Sequence, residues 1–332
     1  MENSTILSAR SLASHAVVIV VNFNGASTLT RCLESIQKQT VKPGRVIVVD
    51  NGSLDGSALV AEPLFPAYEF VHLADNKGFA YANNLAARMA TDCEWLALLN
   101  PDAFAAPDWL YALCQAVEDN RAFRFFGSRM LMDGDPTRFD GIGDVYHISG
   151  LAWRAGHGRP VSGFDDSVSE IFSPCAAAAL YRRDDFMSLQ GFDEDFFCYM
   201  EDVDLGFRLR LAGARCLYVP KAIVRHQGST TSGGRHGDFA VYYGHRNMVW
   251  VFVKNMPARL LFWLLPLHLM ANMAAVLWFA MRGQESVICR AKLDAIRGLP
   301  RMLAKRREIQ KSRKLSGFAT WQLMNKKFGF RD

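Results

Sequence analysis

The 332-residue chain contains no CxxC pair, no GxGxxG fingerprint and no GxxxxGK(S/T) loop. The last two absences argue against a typical dinucleotide-binding oxidoreductase and a P-loop enzyme. Its seven cysteines are odd in number and scattered. They form neither a disulfide framework nor a zinc site, and a reducing compartment is expected. No apolar stretch of signal-peptide length follows basic residues at the N-terminus, so no export signal is expected. Internal repeats and low-complexity segments are also lacking.

What is present is an ordinary globular composition, 50% hydrophobic and 21% charged, in a chain long enough for a large core. The formal net charge of +5 is unevenly spread, because residues 282–332 hold 14 Lys/Arg against 4 Asp/Glu. The first 281 residues are therefore net acidic. A basic tail suits nucleic acid or anionic lipid, and its neighbour decides between them. That neighbour is the apolar stretch Leu260–Met281, which favours lipid and argues against a nucleic-acid partner.

Short Val/Ile-rich runs at 16–23 and 45–50 stop at polar turn residues, as buried parallel strands do. Glu69–Leu73 and Trp95–Leu99 read the same way. Ala26–Gln39 places Leu29, Cys32, Leu33 and Ile36 on one helical face, and a second helix runs through Ala90. Strand alternating with helix predicts a doubly wound, mostly parallel α/β sheet. The stretch 123–173 is less regular and suits a loop-bearing acceptor region. Val219-Pro220 and Ile223-Val224 read as an edge strand. Gly228–Gly237 is expected to be a mobile loop.

In open α/β sheets, ligands bind beyond the carboxyl ends of the strands. There stand Asn22 and Asn24, then Asp50-Asn51-Gly52-Ser53, Asn76-Lys77-Gly78, and Asn100-Pro101-Asp102. Each could be a plain turn; four in one half-sheet indicate a nucleotide crevice. Asp102, directly after an apolar strand, can hold a hard divalent cation against diphosphate oxygens, or simply cap a helix. Gly191–Leu205 intersperses aromatics with six acids. Glu201 and Asp202 open a helix there. Acids in a first helical turn also answer to the macrodipole, but a fixed carboxylate beside an acceptor hydroxyl can remove its proton. His226 precedes the glycine-rich stretch, where an imidazole joining oxygen ligands suits Mn²⁺.

Taken in order, VVIVVNFNG, VVDNGSLDGS, NKGFAYANN, LLNPDA, GFDEDFFCYMEDVDLGFRLRLAG and RHQGSTT resemble glycosyltransferase family two, the inverting GT-A-fold enzymes, and within it the rhamnosyltransferase-like branch of bacterial polysaccharide and cell-wall assembly. The match spans residues 17 to about 232. The resemblance implies that Asn22, Asn24 and Asp50 contact the nucleotide and that Asn76, Lys77, Gly78 and Phe79 approach the diphosphate and donor sugar, with Asn51 and Asn100 on the same rim. Asp102 would be the surviving ligand of the family's DxD motif, here Asn100-Pro101-Asp102, for Mg²⁺ or Mn²⁺. Asp202 matches the family's base, with Glu201 beside it, and His226 matches a metal-binding histidine of some members. The implied reaction moves a sugar, L-rhamnose from dTDP-L-rhamnose in this branch, onto a lipid-linked or polysaccharide acceptor. Another donor, such as a UDP-linked hexose or galactofuranose, or a non-catalytic membrane scaffold, stands as the alternative.

Leu260–Met281 has the length to span a bilayer at ~1.5 Å per residue, but it includes Pro266, His268 and Asn272. A cytosolic catalytic domain and a basic tail both belong inside, which one crossing forbids. In-plane or re-entrant helices on the cytoplasmic face of a bacterial inner membrane, with the tail held by anionic lipid, satisfy both; a buried or oligomer-interface helix is the alternative. The expected divisions are a leader at 1–15, a catalytic domain at 16–238, an apolar membrane-associated segment at 239–283 and a basic tail at 284–332. A homo-oligomer remains open.

Overall fold

The structure, a computed structural model, describes residues 2–228 and 237–327. The chain begins with α1 (Glu2–Ser14), β1 (Ala16–Asn22), α2 (Ala26–Gln37), β2 (Arg45–Asp50), the short α3 (Ser57–Ala61), β3 (Glu69–His72), α4 (Phe79–Met89) and β4 (Trp95–Leu99). The middle comprises β5 (Ala103–Ala105), α5 (Trp109–Asp119), β6 (Phe125–Met132), β7 (Asp135–Gly141), β8 (Asp144–Tyr146), β9 (Ala152–Arg154) and β10 (Ser169–Ile171). Then follow β11 (Ala178–Arg182), α6 (Arg183–Ser188), α7 (Glu201–Leu211) and β12 (Cys216–His226). Five helices complete the described residues: α8 (Asp238–Asn255), α9 (Ala258–Ala280), α10 (Glu285–Arg297), α11 (Leu299–Ser312) and α12 (Gly317–Leu323).

Among the described residues one ten-stranded sheet runs β10-β12-β6-β11-β4-β1-β2-β3, with β5 added on β12 and β7 on β6. Its first half, β4-β1-β2-β3, is wholly parallel. All seven residues of β1 are buried, because successive side chains feed two different cores. Val18 and Val20 meet Leu29, Leu33 and Ile36 of α2, while Val17 and Ile19 meet Ala80, Ala86 and Ala87 of α4. Burying each such aliphatic side chain contributes about 1.5–3 kcal/mol. A charge at Val18 would therefore dismantle the α2 face.

The second half of the sheet is mixed. β11 runs antiparallel to both β4 and β6, and β6 pairs parallel with β12. The irregular middle thus holds strands β6 to β10, whose three-residue members are too short to show alternation. β12 lies inside the sheet rather than at its edge, between β6 and β10. Pro220 is accommodated because the β12–β6 register shifts between Val219 and Ile223, and a proline at a bulge forfeits no ladder bond.

Residues 1–15 contribute α1, whose Ala9 and Ala13 are buried in the first core. α8 packs into a third core with α7, burying Trp250, Val251 and Phe252 beside Val203 and Phe207. Of the expected loop at 228–237, residues 229–236 lie outside the described residues.

Candidate active site

Parallel pairing of β1 and β2 sets Asn22 opposite Asp50. Asn22 Nδ2 donates to Asp50 Oδ1 at 2.9 Å, to Ser53 Oγ at 3.0 Å and to Ser57 Oγ at 2.9 Å. Asn22 is fully buried and Asp50 nearly so. Asn24 accepts from the Leu54 amide at 2.9 Å. Next to them, Asn51 Nδ2 donates to Asn76 Oδ1, and Asn51 Oδ1 accepts from the Lys77 amide, both at 2.9 Å. Asn76 Oδ1 also accepts from the Gly78 amide at 2.9 Å. These bonds tie the loop before α4 to the end of β2.

A cavity of about 920 Å³ opens beyond these strand ends. Asn51, Asn76, Gly78, Phe79, Asn100, Asp102, Glu201, Asp202 and His226 all line it. Asn22, Asn24, Asp50 and Lys77 do not. The first three form the hydrogen-bonded layer behind the rim, and Lys77 turns its ammonium to Asp75 at 2.9 Å.

Asp102 and His226 meet because β5 pairs antiparallel with the end of β12, His226 opposite Ala103. His226 Nε2 stands 3.3 Å from Asp102 Oδ1, an ion-pair contact without a well-formed hydrogen bond. Its Nδ1 contacts Asp140 Oδ2 at 2.8 Å. Burial opposes charge on the imidazole, but the two carboxylates outweigh it and raise its pKa to about 9. Burial likewise opposes charge on Asp140, yet His226 and the Arg154 guanidinium hold it down at about 2. Asp102 is also held below the ordinary range, by His226 against burial.

Across the cavity, α7 starts after a tight passage. Phe197, Tyr199 and Met200 all have positive φ, between 65° and 68°. Phe197 sits in a γ-turn closed by the Cys198 amide on the Phe196 carbonyl at 2.7 Å. Such conformations cost about 1–3 kcal/mol each and persist only when their surroundings enforce them. Asp202 is then held by two amides, Val203 N to Oδ1 at 2.8 Å and Ala176 N to Oδ2 at 3.1 Å. Burial raises its pKa, while those amides and Arg154 pull it back. Glu201 is driven well up by burial and by the Asp202 charge, and its Oε2 has no hydrogen-bond partner among the described residues.

Three participants were not visible in the sequence. Asp140 and Asp144 flank Gly141-Ile142-Gly143, and Arg154 stands opposite Asp144 across the β8–β9 hairpin. Arg154 bonds Asp140, and Asp144 accepts from Ser173 Oγ at 3.2 Å. An acid on either side of a glycine pair was the available signal, but only the hairpin brings it to the cavity.

Residues 17–189, just over half the chain, match the model of glycosyl transferase family 2. The chain belongs to this family. It is a nucleotide-sugar-dependent glycosyltransferase on a GT-A fold. The chain is 29% identical over 240 residues to the N-acetylglucosaminyl-diphospho-decaprenol L-rhamnosyltransferase of Mycobacterium tuberculosis, covering 65% of this chain and 77% of that protein. It is 31% identical over 156 residues to the Escherichia coli rhamnosyltransferase WbbL, covering 43% of this chain and 58% of that one. Among solved structures, a Pyrobaculum calidifontis mannosyltransferase in complex with GDP-Man and Mn²⁺ superposes with TM-score 0.54 at 17% identity, over 85% of this chain and 87% of that one. GalNAc-T7 with UDP, GalNAc and Mn²⁺ gives 0.56 at 16% identity, over 72% of this chain and 47% of that one. These two likenesses bear on the fold. Among the described residues of this family 2 enzyme, no group of three or more His, Cys, Asp or Glu side chains is placed to hold an ion.

Proposed function

We propose that this enzyme transfers L-rhamnose, with inversion, from dTDP-L-rhamnose to a hydroxyl of a lipid-linked glycan in bacterial cell-surface synthesis. The carrying observation is that Asp202, aimed by two backbone amides, faces the same cavity as Asp102 and His226. Asp202 takes the proton of the acceptor hydroxyl while that hydroxyl's oxygen bonds to the anomeric carbon. The bond to the nucleoside diphosphate breaks on the opposite face, and the diphosphate departs with that electron pair. Burial is what keeps Asp202 basic, and Glu201 is the neighbouring acid whose own carboxyl is driven up by burial and by the Asp202 charge. The rim of Asn51, Asn76, Gly78, Phe79 and Asn100 receives the donor, stiffened from behind by Asn22, Asn24 and Asp50. The names of the relatives favour rhamnose.

The donor set also suits a divalent cation. Asp102 and His226 Nε2, the latter lacking a good hydrogen bond, would hold Mg²⁺ or Mn²⁺, and Asp140 on Nδ1 orients the ring as an outer carboxylate does. The cation would neutralise charge on the departing diphosphate.

The acceptor side continues to α8 and Phe279 of α9. α9 is the one described helix long and apolar enough to cross a membrane. Its outer face shows Phe262, Trp263 and Met273, 64–74% exposed, and Arg282, Arg290, Arg297, Arg301 and Arg307 are exposed after it. Apolar anchors beside cations suit in-plane seating on anionic lipid at the cytoplasmic face of the inner membrane. On this reading the catalytic unit extends through α8, and the membrane-associated part begins at α9.

The test is nuclear magnetic resonance of the product made from dTDP-L-rhamnose and a lipid-linked acceptor. An anomeric configuration opposite to the donor's is expected; retention removes Asp202 as a simple base. Turnover with only UDP-linked sugars in a donor panel would replace rhamnose.

A further inference from the structure

The passage before α7 holds three of the six non-glycine residues with positive φ among the described residues, and what enforces it comes from α8. Asn247, in the middle of α8, is fully buried. Its Nδ2 donates towards three carbonyl oxygens of that passage, Phe196 at 2.9 Å, Cys198 at 3.0 Å and Tyr199 at 2.7 Å. Arg246 adds bonds to the Asp195 carbonyl at 3.0 Å and the Phe196 carbonyl at 2.9 Å. Arg246 Nε also donates to Asn247 Oδ1 at 2.9 Å, which fixes the amide so that its nitrogen faces the carbonyls. Stacking supports this clamp: Tyr243 of α8 lies against Phe197 with centroids 5.1 Å apart and planes 19° apart.

The clamped passage touches both halves of the site. On one side, Met200 leads into the first turn of α7, which carries Glu201 and Asp202. On the other, the Phe197 carbonyl accepts from the Ala80 amide at 3.3 Å. Gly78, at φ +90°, sits so close that a Cβ there would lie 2.6 Å from both the Phe197 carbonyl oxygen and its ring. One short segment therefore sets the spacing between the Asn76–Phe79 loop and the Asp202 carboxylate. A hydroxyl, with one proton to donate, cannot match an amide nitrogen facing three converging carbonyls, and a carboxylate in the amide's place would repel them.

We infer that Asn247, steadied by Arg246, is a positioning residue for transfer: through Phe196–Met200 it holds the base on α7 in register with the loop that seats the donor. The inference rests on reading Asp202 as the base. It makes α8 part of the catalytic apparatus, and it places the fastening of the base on the helix that leads into α9.

The experiment uses the full chain on anionic vesicles with a lipid-linked acceptor, comparing wild type, Asn247→Ser, Asn247→Asp, Arg246→Gln and Asp202→Asn. Turnover, donor hydrolysis by water, Mn²⁺–nucleoside diphosphate affinity and melting temperature are measured for each. Asn247→Ser is expected to lower kcat by about 100-fold, the loss that follows a displacement of reacting groups near 1 Å. Nucleotide affinity should stay within a few-fold, and the ratio of hydrolysis to transfer should rise. Arg246→Gln should move the same ratio less, and it carries the test if the Asn247 variants do not fold. Wild-type kcat and an unchanged ratio in the folded variants, beside an inactive Asp202→Asn, would overturn the positioning role. A loss of kcat that tracks only the loss of folded protein, with the ratio fixed, would overturn it too. Normal turnover in Asp202→Asn would instead remove the base on which the inference rests.

Discussion

Two groups of acids share one cavity and differ in charge. Asp102 and Asp140 divide His226 between them and are held below the ordinary carboxylate range in spite of burial. Asp144, Glu201 and Asp202 do not share His226; burial drives all three upward, and the Asp202 charge adds to the rise of Asp144 and Glu201. Arg154 stands between the groups, bonded to Asp140 and opposite Asp144 on the hairpin. Identical functional groups are thus assigned different work by their neighbours. The first group keeps permanent negative charge, which suits a cation and its diphosphate. The second is more basic than an ordinary carboxylate, which suits an attacking hydroxyl.

Removing the proton acceptor tests this division most severely. Asp202→Asn should cost roughly 10²–10⁴-fold in turnover, the usual share of a general base, while calorimetry of nucleoside diphosphate binding stays near wild type. A comparable loss of nucleotide affinity would mean that the two groups are not separate. Next in size is Asp102→Asn. Mn²⁺ at 100 times its dissociation constant should stabilise the wild type by about 2.7 kcal/mol through mass action. The variant should lose most of that gain in a melting assay, and an undiminished gain would place the ion elsewhere.

Arg154→Gln should sharpen the comparison by removing the cation between the groups. Arg154 lowers Asp202, so its loss raises the carboxylate further and moves the acid limb of kcat/KM to higher pH. A limb that stays put or moves down would exclude Arg154 from that task. The smallest effect concerns stability without metal. His226 rises from 6.5 to about 9 in the folded chain because Asp102 and Asp140 outweigh its burial. Its contribution is complete below pH 6.5 and is lost as pH climbs through 9. The melting temperature of metal-free wild type should therefore fall more between those values than that of His226→Gln. Parallel curves would show that the imidazolium contributes nothing.

The sequence was most readable where apolar runs are long and local. β1, β2 and β4 follow directly from Val- and Ile-rich stretches whose residues are buried on both faces. Asp202, Asp102 and His226 could be singled out because each ends or begins such an element. Asp140 and Arg154 could not, because their meeting depends on β7 and the β8–β9 hairpin, strands too short for periodicity to register. β12 reads as an edge strand because Pro220 forbids an ordinary central one, and only the bulge in its register resolves the conflict. Asn247 is the hardest case. One amide on an aromatic helix carries no sequence signal of the three carbonyls it faces.

The cysteines, first noted for what they do not form, leave an experimental handle. Six of the seven thiols are wholly or partly shielded, and Cys289 on α10 is exposed. Of the two partly shielded ones, burial raises Cys93 to about 11 and Cys198 well above the ordinary thiol range, so both are slow to react. A maleimide fluorophore should therefore label the natural protein at one place, beside the helix proposed to lie in the membrane. Quenchers fixed at known depths in vesicles would then measure how far α10 stands from the bilayer centre, with no residue exchanged.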